Sequence, residues 1–189
     1  MNLETDINNA VEYLKKGKII LYPTDTIWGI GCNATNSKAV QQIYKLKGRS
    51  ETKSMIILLD TPEKISTYVK HVPPIAYDLI KNSVSPLTIV YPGAKNLAKN
   101  LIAKDGTIAI RIVKGRFSGT MIEEFGKPVV STSANVSGQL SPALFHQISE
   151  DIINSVDYVA ESFRSIIKTV KPSTIIKLEV NGKFTIIRP

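Results

Sequence analysis

Apolar residues follow two different periods along this chain, and the changes of period outline its elements. Near the amino terminus, intervals of three and four separate four apolar residues: Ile7, Ala10, Val11 and Leu14. This spacing places them on one face of a helix. Thr5 or Asp6 is the predicted cap of this helix, and Gly17 is its predicted end. Ser37 is likewise the predicted cap of a second helix, and the periodic spacing of this helix continues to Lys47.

Short apolar runs elsewhere in the chain predict strands. They occupy residues 18–22, 55–59, 87–91, 107–112, 128–131, 158–160, 174–178 and 184–187. Further helices are predicted after Thr61, after Pro73-Pro74, near 116–125 and from Pro142 to Asn154. Asn181-Gly182 predicts a hairpin turn between the last two strands. Strands that alternate with helices indicate an α/β fold, and the terminal hairpin makes the twisted sheet mixed.

The length of 189 residues predicts one compact domain, residues 1–189. No window approaches the roughly 18 uncharged apolar residues of a membrane span. The amino-terminal residues lack the basic leader and apolar core of a secretion signal. We therefore expect a cytoplasmic protein with no membrane contact. Its single cysteine, Cys32, excludes an intrachain disulfide and a cysteine-based metal cluster.

The net charge of +8 and the sequence pI of about 9.5 favour anionic partners, either nucleotides or nucleic acid. An alternative is that the lysines are spread over a solvated surface, since they form no dense run. The charge alone leaves both interpretations open.

Three polar loop segments, each following a predicted strand or helix, are candidates for chemistry. In residues 22–31, the hydroxyls of Thr24 and Thr26 flank a carboxylate just past a predicted strand, where α/β folds place ligands. Lys47-Gly48-Arg49 places two cations where they can converge on phosphate oxygens. Residues 131–138 hold four hydroxyls and one amide. Each segment also has a structural interpretation: a local turn, a helix carboxyl terminus and a serine-rich connection.

Other chemistries find no support in the sequence. The phosphate-loop pattern GxxxxGKS/T, the dinucleotide pattern GxGxxG and the nucleophile elbow GxSxG are all absent. His71 and His146 are far apart and lack the spacing of paired metal ligands, so we expect no metal site formed by the protein. Cys32 lies in an apolar segment and is predicted to be a small buried residue.

Seven segments, taken together and in order, resemble the YrdC/TsaC family of threonylcarbamoyl-AMP synthases. They are YPTDTIWGIGCNA (22–34), IYKLKGR (43–49), SPLTIVYPG (85–93), TIAIRI (107–112), KPVVSTSANVSG (127–138), STII (173–176) and IIRP (186–189). The resemblance runs nearly end to end and favours the functional interpretation of the three polar segments.

The resemblance implies a YrdC-like fold, a twisted mixed sheet with a basic concave face, in the short single-domain form. It also implies that L-threonine, bicarbonate and ATP are joined to give threonylcarbamoyl-AMP and pyrophosphate, with magnesium as an expected cofactor. A threonylcarbamoyl-transferase complex would then modify adenosine 37 of tRNA, which makes tRNA an expected partner.

The resemblance further implies residue roles. The residues expected to hold threonine are Thr26, Arg111, Ser131 and Ser173. Those expected to bind ATP are Arg49, Lys53, Thr107, Ser133, Ser141 and Arg188. The two family motifs KxR and SxN, expected to line the phosphate region and to be catalytic, are Lys47 with Arg49 and Ser133 with Asn135.

Two rival functions remain open at this point. One is an RNA-binding module or translation-associated factor, which a basic face would suit. Against it, the sequence has no recognised RNA motif, and aromatic residues make up only 7% of the chain. The other is a different small-molecule ligase or a phosphosugar enzyme that shares the fold. The phosphosugar enzyme would need an acidic cluster of metal ligands that the sequence does not offer.

Overall fold

The structure is a computed structural model that describes residues 1–50, 54–165 and 172–189. The helices in these ranges are Leu3–Lys15 (α1), Ser37–Leu46 (α2), Ile65–Tyr68 (α3), Ile75–Asn82 (α4), Arg116–Phe125 (α5) and Glu150–Asn154 (α6). The strands are Ile20–Pro23 (β1), Trp28–Gly31 (β2), Ile56–Leu59 (β3), Leu87–Tyr91 (β4), Ile108–Ile112 (β5), Val129–Ser133 (β6), Tyr158–Val159 (β7), Thr174–Leu178 (β8) and Phe184–Arg188 (β9). Short 3-10 turns occupy Pro62–Lys64, Lys99–Leu101 and Phe145–Gln147.

The strands of these ranges form one mixed sheet in the order β7-β1-β2-β6-β3-β5-β4-β8-β9. Three neighbouring pairs are parallel: β1 with β7, β3 with β5, and β4 with β8. The remaining pairs are antiparallel, including the β8–β9 hairpin whose turn contains Asn181-Gly182. The predicted α/β class with a mixed sheet is therefore confirmed. None of the helices in the described ranges is long and apolar enough to cross a membrane.

Strand β2 corrects the sequence prediction, which treated residues 22–31 as a loop. Trp28-Gly-Ile-Gly31 shows little strand propensity because two of its four residues are glycines. Pairing with β1 on one side and β6 on the other makes it a strand. The glycines permit close packing: a Cβ at Gly31 would lie 2.5 Å from the carbonyl oxygen of Val130 and 2.7 Å from Cε1 of Tyr22.

We expect Gly31→Ala to destabilise the protein by about 1–3 kcal/mol, the usual cost of forcing an extra methyl group into a packed core. The matched control is Gly119→Ala in α5, where the added Cβ would make only an ordinary contact of 3.7 Å with the carbonyl oxygen of Val113. That change should raise stability by about 0.5–1 kcal/mol. Chemical denaturation measures both variants. Equal stability of Gly31→Ala and the unchanged protein would contradict this account of β2.

The helix ends also differ from the prediction. The cap of α1 is Asn2, whose side chain accepts from the backbone N–H of Thr5 at 2.8 Å. Asp6 is instead buried and accepts hydrogen bonds from the backbone N–H groups of Glu161 and Ser162. Asn36, not Ser37, caps α2, since its side chain accepts from the first helical N–H groups.

The segment from Pro142 to Asn154 also differs, because it contains only the turn Phe145–Gln147 and α6 instead of one helix. The carbonyl end of the Gln147 side chain accepts from the N–H groups of Ala143 and Leu144, which stabilises a turn there. By contrast, α5 matches its predicted range, and Gly126 ends it with a φ of +70°.

Candidate active site

The register of the sheet gathers the polar residues of separate segments on one face. Arg111 in β5 pairs with Thr88 in β4, and Thr88 is level with Ile175, which pairs with Arg188 in β9. Ala109, two residues before Arg111, pairs with Ile56, which pairs with Ser131 in β6. Residues paired across strands share a face, and alternate residues of one strand share it too. We call the face that carries Arg111, Thr88, Arg188, Ser131 and Ser133 the polar face.

Along the strand direction, Arg111 lies toward one end of the polar face, level with Thr88 and Arg188, and it is 4% exposed. Its Nη2 forms an ion pair with Oδ1 of Asp25 at 3.1 Å. Its Nε has no hydrogen-bond partner among the described residues. Burial lowers the pKa of Arg111, and the carboxylate of Asp25 opposes that shift. Arg111 therefore holds its charge in a nearly dry position with a donor still available.

The loop between β1 and β2 carries Asp25 to this position. Oγ1 of Thr24 accepts from the N–H of Thr26 at 3.0 Å and donates to the carbonyl oxygen of Ile27 at 2.7 Å. The local turn considered for this segment is thus present, and it orients a charged residue. Sequence reasoning gave no role to Asp25. The signal for it was one carboxylate between two threonines just past a strand.

A second cluster borders Arg111 across β4, β8 and β9. The hydroxyls of Thr88 and Ser173 lie 2.8 Å apart, and both residues are buried. Arg188 donates to the carbonyl oxygen of Ser173 through Nη2 at 2.7 Å and Nε at 3.1 Å. The guanidinium of Arg188 also lowers the pKa of Arg111, because two positive charges repel. Two guanidinium groups in this arrangement favour binding of an anion.

Lys47 lies just past α2 and connects two of the polar segments. Its Nζ donates to the carbonyl oxygens of Ser133, at 2.5 Å, and of Asn135. The N–H of Ser137 donates back to the carbonyl oxygen of Lys47 at 2.8 Å. Lys47 is 1% exposed, and burial, helped by the charge of Arg49, lowers the pKa of Lys47 to about 8. The ammonium group thus fixes the loop that follows β6.

Arg49 is half-buried beside Lys47, and its Nη2 donates to the carbonyl oxygen of Ser54 at 2.8 Å. Burial lowers the pKa of Arg49. The helix terminus considered for this segment is also present, because Lys47 caps α2 and Gly48 adopts a φ of +56°. Both cations nevertheless lie beside the serine-rich loop.

The loop after β6 is held by Asn135, whose side-chain amide donates to the carbonyl oxygens of Val136 at 2.9 Å and Gln139 at 2.8 Å. Its Oδ1 is buried and has no hydrogen-bond partner among the described residues. Ser133 pairs with Gly29 in β2, and the missing side chain of Gly29 leaves space beside Oγ of Ser131, which a Cβ would approach to 3.0 Å. Polar groups therefore remain available beside Lys47 and Arg49.

The other predicted site residues vary in placement. Ala109 and Ser131 are level with each other because both pair with Ile56. Two residues further along the same strands, Thr107 is level with Ser133 and therefore away from Arg111. The Thr107 hydroxyl donates to Oδ1 of Asp105 at 2.7 Å. Ser141 is exposed, and no contact joins it to the other candidates within the described ranges. Lys53 lies outside the described residues.

The polar face combines cations with neutral hydroxyl donors. Within residues 1–50, 54–165 and 172–189, no group of three or more His, Cys, Asp or Glu side chains could hold a metal ion. Cys32 is buried as predicted, and burial raises the pKa of its thiol, which makes it a poor nucleophile. The arrangement is that of a site for anionic ligands, such as a nucleotide or the carboxylate of an amino acid.

Comparison with known proteins relates this chain to a protein family. The chain matches the Sua5/YciO/YrdC family model, described as telomere recombination, over residues 12–189. A threonylcarbamoyl-AMP synthase of Pseudoalteromonas translucida is 32% identical over 97% of this chain and 98% of that protein. A putative threonylcarbamoyl-AMP synthase of Methanocaldococcus jannaschii is 36% identical over 93% of this chain and 84% of that protein.

A solved structure resembles the whole sheet. The crystal structure of P. abyssi Sua5 complexed with L-threonine matches with a TM-score of 0.81 and 27% identity. The match covers 94% of this chain and 52% of that longer chain. This chain therefore belongs to the Sua5/YciO/YrdC family.

Proposed function

We propose that this protein is an L-threonylcarbamoyladenylate synthase, a nucleotidyltransferase that joins L-threonine, bicarbonate and ATP. The observation that carries the proposal is the division of the polar face into two cationic ends, one at Arg111 and one at Lys47 and Arg49. The synthases of P. translucida and M. jannaschii support the reaction, and the L-threonine complex of P. abyssi Sua5 supports the amino-acid substrate. This support favours the synthase over a module that only binds RNA.

Threonine would bind at the Arg111 end. The guanidinium of Arg111 would hold the carboxylate, using the available Nε and a geometry fixed by Asp25. The hydroxyls of Thr26, Ser131 and Ser173 would orient the remaining polar groups of the amino acid. The burial of all three residues fits a ligand that must be enclosed.

ATP would bind toward the other end of the polar face, with the triphosphate beside Lys47, Arg49, Ser133 and Asn135. Two of the three N–H groups of Lys47 donate to carbonyl oxygens, so the third can serve a phosphate oxygen. The remaining expected ATP contacts are Lys53, Thr107, Ser141 and Arg188. Since Arg188 contacts Ser173, it would stand where the two substrates meet.

The chemistry needs alignment of the substrates and neutralisation of charge. The amine of threonine attacks the carbon of bicarbonate, or of the carbon dioxide derived from it, and a carbamate forms with loss of water. A carbamate oxygen then attacks the α-phosphorus of ATP, the α–β phosphoanhydride bond breaks, and pyrophosphate leaves. Cations placed beside the triphosphate stabilise the growing negative charge. Magnesium would arrive with the triphosphate, whose oxygens are ligands that it prefers.

Pyrophosphate release should require threonine and bicarbonate together. The measurement is pyrophosphate formation by the purified chain with ATP and magnesium, with the adenylate product identified by mass. Serine in place of threonine, and carbon-dioxide-free buffer, are the two controls. Equal release under either control would refute the substrate assignment.

The product would be consumed by a second enzyme, because an acyl adenylate is activated for transfer. We propose that a threonylcarbamoyl-transferase complex moves the group to adenosine 37 of tRNA. The labile intermediate favours enclosure of the polar face during turnover.

A further inference from the structure

A cavity lies behind the loop that connects β1 and β2. It has a volume of about 480 Å³ and is bordered by that loop, the segment before β4 and the amino terminus of α5. Ile112 and Trp28 border it. Ile112 follows Arg111 of the polar face, and Trp28 precedes Gly29, which pairs with Ser133 of the same face. Because neighbouring residues of a strand point to opposite faces, this cavity opens on the other side of the sheet. Thr26, one of the residues proposed to hold threonine, borders the cavity, whereas Arg111, Ser131 and Ser133 do not.

The amino terminus of α5 gives this cavity a positive end. Gly115 caps α5 without any side-chain hydrogen bond, so the first N–H groups of this ten-residue helix have no capping side chain as an acceptor. Lys114 and Arg116 also border the cavity, and neither forms an ion pair with a described residue. Helix amino termini flanked by cations favour anions.

Ser118 is an independent indication of a ligand. It borders the cavity in the first turn of α5 and is fully buried. Its Oγ has no hydrogen-bond partner among the described residues. A buried hydroxyl without a partner is costly and uncommon, so this one requires an explanation. A ligand oxygen held at the start of α5 would supply the missing acceptor.

The rest of the cavity wall combines apolar side chains with the hydroxyl groups of Thr24, Thr26, Ser83 and Ser85. Its large apolar members are Ile27, Trp28, Ile80, Leu87, Ile112, Phe117 and Phe163. Val84 also borders the cavity and is fully exposed. Pockets of this composition take ligands that bury an apolar body and fix one polar group.

We propose that this cavity binds a small amphiphilic carboxylate, with its anionic group at the start of α5 and its apolar body against Trp28 and Phe163. The backbone of Asp25 faces Gly115, since a Cβ there would lie 3.5 Å from the Asp25 nitrogen. Asp25 thus borders this cavity and also pairs with Arg111 on the polar face. The inference does not rest on the proposed synthase activity.

The test is titration of the free protein with octanoate, monitored by the fluorescence of Trp28, the only tryptophan of the chain. We expect a saturable change, with octanoate binding about tenfold more tightly than the uncharged octanamide, because charged hydrogen bonds are stronger than neutral ones. Lys114→Gln combined with Arg116→Gln should abolish this preference and leave octanamide binding unchanged. The matched control, Lys38→Gln with Lys45→Gln on α2, removes the same charge elsewhere.

Ser118→Ala supplies a second measurement that separates binding from folding. It should weaken octanoate binding while leaving the melting temperature of the free protein unchanged or higher, because the hydroxyl lacks a partner there. Three results would overturn the proposal: no saturable change with octanoate, equal affinity for octanoate and octanamide, or the same loss in the α2 control. A large drop in melting temperature for Ser118→Ala would also overturn it, since it would give the hydroxyl a structural role.

Discussion

Lys47→Ala is expected to lose at least about 100-fold in the rate of pyrophosphate release, the usual effect of removing a donor that stabilises developing charge. It is also expected to lower the free energy of unfolding by about 2–4 kcal/mol, because each buried carbonyl left without a donor costs about 1–3 kcal/mol. The carbonyl groups concerned are those of Ser133 and Asn135, to which Nζ of Lys47 donates. Steady-state kinetics and chemical denaturation measure the two effects.

Arg49→Ala is the matched comparison. Arg49 is only half-buried, and it donates a hydrogen bond to the carbonyl oxygen of Ser54, close in sequence. We therefore expect a similar loss of turnover with a change in unfolding free energy below about 1 kcal/mol. If both variants keep full activity and ATP affinity, the KxR segment is only the end of α2. If Lys47→Ala is inactive but as stable as the unchanged protein, the two carbonyl contacts do not contribute to the free energy of unfolding.

Arg111→Lys is expected to raise the KM for threonine by about 10- to 100-fold, the equivalent of one lost charge-assisted hydrogen bond of about 1.5–3 kcal/mol. Lysine keeps the charge but cannot provide the planar pair of donors that holds a carboxylate. The KM for ATP should change little, because Arg111 lies at the opposite end of the polar face from Lys47. The measurement is a pair of substrate titrations, each with the other substrate saturating.

The control for Arg111→Lys is Arg49→Lys, which should show the opposite bias and raise the KM for ATP more than that for threonine. Both variants keep the net charge of the protein, so a general electrostatic effect would not separate them. If Arg111→Lys weakens both substrates equally, or neither of them, the proposed division of the polar face into two ends is wrong.

The sequence determined the class of the fold and most of its elements. An apolar run identified β4 with the bounds that the structure has, and α5 matches its predicted range, because burial of one strand or one helix face imposes a pattern on nearby residues. Strand β2 escaped detection because its glycines are required by contacts across the sheet. A Cβ at Gly31 would meet the carbonyl oxygen of Val130, and a Cβ at Gly29 would meet Oγ of Ser131, both in β6 and far along the chain. Local periodicity carries no record of such contacts.

In the candidate site, too, the sequence determined some features and the tertiary structure determined others. The sequence supplied the residue types, and the order of the segments made the family resemblance specific. It could not show that Lys47 would be buried against Ser133 and Asn135, because these residues lie 86 and 88 positions away along the chain. Nor could it show that Asp25 would pair with Arg111, which lies in a different segment. Sequence reasoning therefore treated Lys47 and Arg49 as equivalent cations, whereas the structure distinguishes a buried structural ammonium from a half-buried guanidinium.

The cavity at α5 depends entirely on the tertiary structure. Lys114 and Arg116 are two ordinary cations in the sequence, and Ser118 is an ordinary serine near a helix start. Packing of α5 behind the β1–β2 loop buries the Ser118 hydroxyl and encloses apolar side chains from separate segments. The chain thus specified by itself which local structures form and which chemical groups are available. Only the register of the sheet and the packing around it decided which of those groups meet, because such contacts depend on the positions of residues far apart in the chain.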